Sequence, residues 1–261
     1  MKNVVITDYS FNDLSIEEEM FHENKIKLSS EKSPNKEALK VLTHNADYII
    51  TQFATLDNEI INNLNKAKII VRYGVGYDNV DIKSARLKNI PVCNVPDYCI
   101  DEVADHTIAF ILNSTRAIYK NHQKVFHGEW GLAVPLEEMK SLNDLKIGVI
   151  GFGRIGQAVV ERLVPFKPKI LINDPFISNP VKTDGLSFVE INELFKNSDI
   201  ITLHCPSTEK TKNIINDHSL SLMKKGVTII NIGRGDLIDM ESFINALKNK
   251  TINSAALDVF D

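Results

Sequence analysis

The stretch KIGVIGFGRIG, residues 146–156, decides how this chain is read. Ile147, Val149 and Ile150 form the apolar run expected of a buried parallel strand. The run passes into Gly151-Phe152-Gly153-Arg154-Ile155-Gly156 and then into an amphipathic segment, residues 157–166. A G-x-G-x-x-G spacing carries meaning only between a strand and a helix, and that is its context here. The first glycine permits a tight turn, the second lets the backbone approach a pyrophosphate, and the third lets helix and strand pack closely. The helix N-terminus beyond them offers unpaired N–H groups and the positive end of its dipole to phosphates. Gly151, Gly153, Arg154, Ile155 and Gly156 are therefore candidate dinucleotide-binding residues.

Working outward, Asp174 stands eighteen residues past Gly156, at the end of the next apolar run. A carboxylate there accepts hydrogen bonds from the adenosine ribose hydroxyls and repels a 2′-phosphate, which favours NAD over NADP. The competing reading is a turn cap before Pro175. Around this centre the chain alternates short apolar runs with helical patterns. In the first hundred residues the runs are 4–7, 26–28, 48–51, 69–72 and 91–93, separated by helical patterns at 15–21, 35–42, 56–64 and 81–88. After residue 145 the runs are 146–150, 170–173, 199–204, 227–231 and 254–259, with helices at 157–165, 191–196, 217–223 and 240–248. Such alternation implies parallel sheets covered on both faces. Asp57, Asp81 and Asp239 precede apolar-periodic segments and are expected N-caps. Residues 101–121 form the longest helical pattern. Its apolar residues, Val103, Ile108, Ile111, Leu112 and Ile118, are spread around it, so burial on more than one side is expected, as between domains or in a dimer. Residues 121–143, with the single tryptophan Trp130, read as an irregular connecting arm.

The bulk properties exclude several classes. A chain of 261 residues exceeds a single core of roughly 100–150 residues, so two domains are expected. A net charge of −4 argues against a nucleic-acid partner or an anionic membrane surface. No apolar stretch approaches the ~20 residues of a membrane span, and no signal-peptide pattern opens the chain. Cys93, Cys99 and Cys205 have no metal-type spacing, and the seven histidines form no metal-ligand pattern, so no metal is expected. The cysteine usage fits a reducing cytoplasm.

Further motifs carry a family likeness. They are Arg72-Tyr73-Gly74-Val75-Gly76-Tyr77-Asp78-Asn79-Val80-Asp81, Asn94-Val95-Pro96, Glu102-Val103-Ala104-Asp105-His106-Thr107, His204-Cys205-Pro206, Asn231-Ile232-Gly233-Arg234-Gly235 and Ala256-Leu257-Asp258-Val259-Phe260. With the glycine turn and Asp174, they make the chain resemble the D-isomer-specific 2-hydroxyacid dehydrogenases, from near the N-terminus to Asp261. The region 96–106 is most similar to the branch with phosphoglycerate dehydrogenases and C-terminal-binding-protein-type corepressors. The resemblance implies an α/β protein with two parallel-sheet domains. Residues 1–100 would be a flavodoxin-like substrate domain, and residues 101–261 a Rossmann NAD-binding domain lacking its C-terminal part.

The resemblance also implies roles. Arg234 would hold the substrate carboxylate and polarise the 2-keto oxygen, a task suited to a two-pronged planar donor. Gly74, Val75 and Gly76 would present main-chain N–H groups to the substrate, with Asp78 and Asn79 fixing that loop. Cys205 and Pro206, with Thr208 or Thr211, would lie on the adenine–ribose side of NAD. Ile232 and Gly233 are further cofactor candidates, Asp258 would face the nicotinamide carboxamide, and Thr107 is a candidate phosphate contact. The family's proton donor, a histidine paired with a glutamate, follows the Ala-Leu-Asp-Val-Phe motif, and the sequence stops at Asp261 before either. A fragment and a natural truncation are both compatible with that. The implied activity is hydride transfer between NAD(H) and C2 of a 2-hydroxy or 2-keto acid, in a homodimer. The alternative is an NAD(H)-binding corepressor-like protein, or an inactive truncated one.

Overall fold

In a computed structural model the chain divides into two compact units, Met1–Tyr98 and Cys99–Asp261. Residues 1–32, 34–177 and 185–260 are described. The first unit alternates β1 (Asn3–Ile6), α1 (Ser15–Glu23), β2 (Lys27–Ser30), α2 (Lys36–His44), β3 (Tyr48–Thr51), α3 (Asn58–Asn63), β4 (Ile69–Arg72), α4 (Ile82–Leu87) and β5 (Val92–Cys93). Every pairing is parallel, in the order β2-β1-β3-β4-β5, which is the flavodoxin-like order. Asn35, Asp57 and Asp81 cap α2, α3 and α4, accepting N–H groups of Ala38, Ile60, and Lys83 with Ser84. Each such cap is worth about 1 kcal/mol. Val5, Ile49, Ile60, Ile61 and Ile70 are fully buried between the helices and the sheet.

The strand order of this sheet reverses between β1 and β3, and Asp8 sits there with only 7% of its surface exposed. Its carboxylate accepts the N–H of Phe53 at 2.6 Å, the N–H of Gln52 at 3.0 Å and the Thr7 hydroxyl at 2.8 Å. Burial opposes its ionisation, but these donors outweigh burial and hold the carboxyl below its ordinary value.

The second unit starts with α5 (Ile100–Arg116) and α6 (Ile118–Phe126). There follow β6 (Lys146–Ile150), α7 (Arg154–Leu163), β7 (Lys169–Asn173), β8 (Leu186–Phe188), α8 (Ile191–Asn197), β9 (Ile200–Leu203), α9 (Asp217–Leu222), β10 (Val227–Asn231), α10 (Met240–Lys248) and β11 (Ile252–Leu257). All pairs are parallel in the order β11-β10-β9-β6-β7-β8. That is the doubly wound dinucleotide-binding order, with its reversal between β6 and β9. Ile147, Val149, Val159, Leu163, Ile170 and Ile172 pack on one face; Ile201, Leu203, Ile229, Leu220 and Phe243 pack on the other. Asp239 caps α10, as its position before an apolar-periodic segment predicts.

Three expectations need correction. The helix expected over 101–121 is two helices, broken at Ala117, which adopts a left-handed φ of 49°. The Asn113 carboxamide oxygen accepts the Tyr119 N–H at 2.9 Å, replacing a rung of the helical ladder. The Thr115 hydroxyl bonds back to the Ile111 carbonyl, a local competitor to regular helix. Within its own unit, helix α5 buries Ala104, Thr107 and Ile111 fully and Ile108, Phe110 and Leu112 in part, and Ile118 is exposed. The arm is not wholly irregular, since α6 runs to Phe126. Strand β8, three residues long, escaped the sequence reading because a run that short has no measurable period.

Asp8→Ala should destabilise the protein by about 2 kcal/mol at neutral pH, because the buried Gln52 amide and the part-buried Phe53 amide lose their acceptor. A lowered acid pKa stabilises fully above the ordinary carboxyl value of 3.8 and is lost as pH falls through the folded value. Urea unfolding at a series of pH values should therefore show the gap between wild type and variant closing below that point. A gap independent of pH would contradict the assignment.

Candidate functional site

The carboxyl ends of β6 and β9 meet at the strand-order reversal of the second unit, and the glycine turn leaves from there. Each of its three glycines has its own steric surroundings. Gly151 has φ +94°, and a Cβ on it would lie 2.6 Å from the Cys205 nitrogen and 2.7 Å from the His204 carbonyl carbon. Those are backbone atoms leaving β9, so no side-chain rotation relieves the clash. A Cβ on Gly156 would stand 2.2 Å from the Gly151 carbonyl oxygen. A Cβ on Gly153 would meet nothing within 4 Å. The protein itself thus demands glycine at 151 and 156, whereas the space above Gly153 is open.

Helix α7 opens onto that space with Gly153 as N-cap and no side chain bonded to its first turn. Like α1, α5, α6 and α8, α7 has no side-chain cap, and its first-turn donors and dipole face the space above Gly153. Asp174 completes the turn. Its Oδ2 accepts the Phe152 N–H at 2.8 Å and its Oδ1 accepts the Phe176 N–H at 2.9 Å. The turn cap over Pro175 is therefore real, and lone pairs remain on both oxygens for ribose hydroxyls. An open face over Gly153, an uncapped helix and a fixed carboxylate fit a dinucleotide.

The loop after β9 forms one wall. Ser207 donates to Asp236 Oδ2 at 2.5 Å, tying this loop to the one after β10. The Thr211 hydroxyl donates to the Pro206 carbonyl at 2.6 Å and accepts the Thr208 N–H at 2.8 Å, so it is spent inside the loop. Burial pushes the Cys205 thiol up to about 11, with the charges of Asp174 and Asp236 adding to it, so the thiol stays protonated and inert. Burial pushes the His204 imidazole down to about 4, and its Nε2 lies 2.9 Å from the Thr202 hydroxyl. His204 is neutral at physiological pH and holds no proton ready for donation. Thr107 is fully buried and its hydroxyl donates to the Val103 carbonyl, which places it inside the helix rather than on the turn.

The loop after β10 is organised by Asn231, which the sequence reading gave no role. Its buried carboxamide donates to the Arg234 carbonyl at 2.7 Å and accepts the Gly233 N–H at 3.0 Å. Its main-chain carbonyl accepts the Asp258 N–H at 3.0 Å. One residue thus sets the path of Ile232, Gly233 and Arg234 and anchors the segment after β11. Its signal was a carboxamide ending an otherwise apolar strand, VTIIN, just before Gly-Arg-Gly. The Arg234 guanidinium donates to the Gly233 carbonyl at 2.8 Å. His106 Nε2 stands 3.6 Å from Asp258 Oδ1.

In the first unit, the loop Gly74-Val75-Gly76 follows β4. Asn94 donates to the Val75 carbonyl at 2.7 Å, and the Val95 N–H to the Gly74 carbonyl at 3.1 Å. Asn79 donates to the Ala54 carbonyl at 3.0 Å and so braces the loop. Gly74 has φ +147°, a backbone conformation that L side chains rarely adopt, and the space where a Cβ would stand is taken by the end of the Arg72 side chain. The Arg72 guanidinium lies across the loop and brings a fixed positive charge to it. Among the described residues, no group of three His, Cys, Asp or Glu side chains is placed to hold a metal ion, and no helix is long and apolar enough to cross a membrane.

Residues 108–261 match the family described as D-isomer specific 2-hydroxyacid dehydrogenase, NAD binding domain. The chain is 38% identical over 255 residues to a D-3-phosphoglycerate dehydrogenase of Methanocaldococcus jannaschii, covering 92% of this chain and 47% of that one. It is 34% identical over 243 residues to a hydroxypyruvate reductase of Thermotoga maritima, covering 93% and 78%. The fold matches the crystal structure of a D-lactate dehydrogenase from Aquifex aeolicus complexed with NAD and lactic acid, with TM-score 0.90 and 29% identity over 99% of this chain and 77% of that one. The chain thus spans about half the length of the first of these relatives and over three quarters of the other two.

The glycine substitutions separate structure from binding. Gly151→Ala should lose stability, since its methyl collides with backbone. Gly153→Ala should stay within about 1 kcal/mol of wild type, the scale of an N-cap change, yet bind NADH roughly tenfold more weakly. Thermal melts and NADH titrations of both variants test this; Gly153→Ala binding NADH like wild type would contradict it.

Proposed function

The chain belongs to the D-isomer-specific 2-hydroxyacid dehydrogenases, and from that premise we propose that it is an NAD-dependent oxidoreductase acting at C2 of a 2-hydroxy or 2-keto acid. The observation that carries the reading is the open cradle over Gly153, on the same carboxyl edge of the sheet as Arg234 and Asp258. NAD(H), when bound, supplies or accepts the hydride. The chain's own residues bind and orient. Gly151, Gly153, Arg154, Ile155 and Gly156 receive the pyrophosphate, and Asp174 receives the ribose hydroxyls. Cys205, Pro206, Thr208, Ile232 and Gly233 line the adenosine side, and Asp258 faces the carboxamide. Arg234 holds the substrate carboxylate and draws charge from the 2-keto oxygen. The unit Met1–Tyr98 is the substrate domain in this reading, with the N–H groups of the 74–76 loop offered to the substrate and the Arg72 charge beside them.

The same reading extends to assembly and compartment. Helix α6 and the residues after it expose Tyr119, Val125, Phe126 (75%), Trp130 (95%) and Leu136, large apolar side chains within one segment of 18 residues. A second copy of the chain is the partner proposed for this face. Three unpaired cysteines, Cys93 among them exposed, suit a reducing cytoplasm.

In the protein expressed from its complete coding sequence, Arg234→Ala should lower kcat/KM for 2-keto acids by roughly a hundredfold or more and leave NADH affinity near wild type. Steady-state kinetics over a panel of 2-keto acids, with NADH titration alongside, makes the measurement. Near-unchanged kinetics would sink the assignment. Sedimentation should give a dimer for the wild type and a monomer for Phe126→Glu; a monomeric wild type at micromolar concentration would refute the interface.

A further inference from the structure

Asp258 lies just beyond β11, with its side chain 57% exposed. Its backbone is anchored by the N–H that donates to the Asn231 carbonyl. Nothing in that anchor sets the direction of the carboxylate, and an exposed side chain with a fixed Cα samples several rotamers. One neighbour selects among them. The His106 imidazole approaches Oδ1 at 3.6 Å, and among the described residues it is the only side chain recorded against that carboxylate. The separation suits an ion pair with the imidazolium, or a bridging water with the neutral ring, and exceeds a direct hydrogen bond.

His106 is held firmly enough to act as a stop. It projects from α5, whose Ala104, Thr107 and Ile111 are buried against the body of the unit. The Phe110 ring, one turn along, packs on the imidazole with centroids 4.3 Å apart. Of the acids on the same helix, Asp101 and Asp105 are taken by Arg162 at 2.6 Å, and Glu102, one turn before His106, forms no ion pair with it. The acid that the imidazole does approach is the one across on the β11 side.

We propose that His106 is a positioning residue for the cofactor: it holds Oδ1 of Asp258 so that Oδ2 is presented to the amide donor of the nicotinamide carboxamide. This rests on the reading of Asp258 as a carboxamide contact. Asp174 shows the same division of labour, with its carboxylate fixed by protein N–H groups while lone pairs remain for a ligand. An acceptor held in one direction before the ligand arrives loses less on binding than one that must be ordered then.

NADH and ADP-ribose, which has no nicotinamide, distinguish this role from mere packing. With the full chain, His106→Leu should weaken NADH binding roughly two- to fivefold, the factor a partly exposed ion pair supplies. It should leave ADP-ribose affinity unchanged. His106→Gln, which keeps a donor, should recover part of the loss. Asp258→Asn should weaken NADH as well, and the double variant should bind no more weakly than Asp258→Asn alone. Equal losses for both ligands, or additive losses in the double variant, would overturn the proposal. A silent His106→Leu beside a weakened Asp258→Asn would overturn His106 alone. A silent Asp258→Asn would remove the carboxamide reading of Asp258 and this proposal with it.

Discussion

The second unit depends on one close approach of backbone to backbone, where Gly151 lies against the peptide joining His204 and Cys205. Sheet order makes it unavoidable, because β6 and β9 are neighbours and both chains leave at the same edge. A methyl group in that gap would have to move a strand end, which a close-packed sheet resists. Everything at the site is placed from this contact. It sets the start of α7, carries Phe152 to the Asp174 carboxylate, and brings the loop with Ser207 to Asp236.

The two units obey one topological rule with different chemistry. In each parallel sheet the order reverses once, and a crevice opens at the carboxyl ends there. In the first unit Asp8 fills the crevice with its own carboxylate and takes the amides of Gln52 and Phe53 that an anion would otherwise take. In the second unit the Asp174 carboxylate takes the Phe152 amide at the edge of the corresponding crevice, and the glycine at the start of α7, Gly153, faces open space. The buried Asn231 amide then serves the neighbouring loop as Asp8 serves its own, spending internal hydrogen bonds to fix a loop that carries Arg234.

Much of this was legible in the sequence because the signals were local. The apolar run into Gly151, and the acids ahead of α3, α4 and α10, state their roles within a few residues. What was hidden depended on partners distant in sequence or on a single off-pattern residue. The break at Ala117 needs no glycine or proline, only the Asn113 amide oxygen reaching the Tyr119 N–H. Gly74 does answer to its backbone, at φ +147°, but that the Arg72 guanidinium lies over it could not be read from spacing. Thr107 was attractive as a hydroxyl near a helix start, but its position on the buried stripe of α5 turns that hydroxyl inward. Spacing shows which residue stands where; the face it occupies is decided by packing.

The Asp174 geometry bears on selectivity in the proposed reading. A carboxylate free to rotate could swing from a 2′-phosphate and admit NADP at small cost. This one is bonded through one oxygen to Phe152 in the glycine turn and through the other to Phe176. Turning it away would break both bonds, including the one that holds the pyrophosphate loop. Discrimination against the extra phosphate is then coupled to the integrity of the turn itself: loosening the carboxylate to accept NADP would also loosen the loop that binds either dinucleotide. Charge repulsion supplies the sign of the preference, and the two amide bonds supply its stiffness.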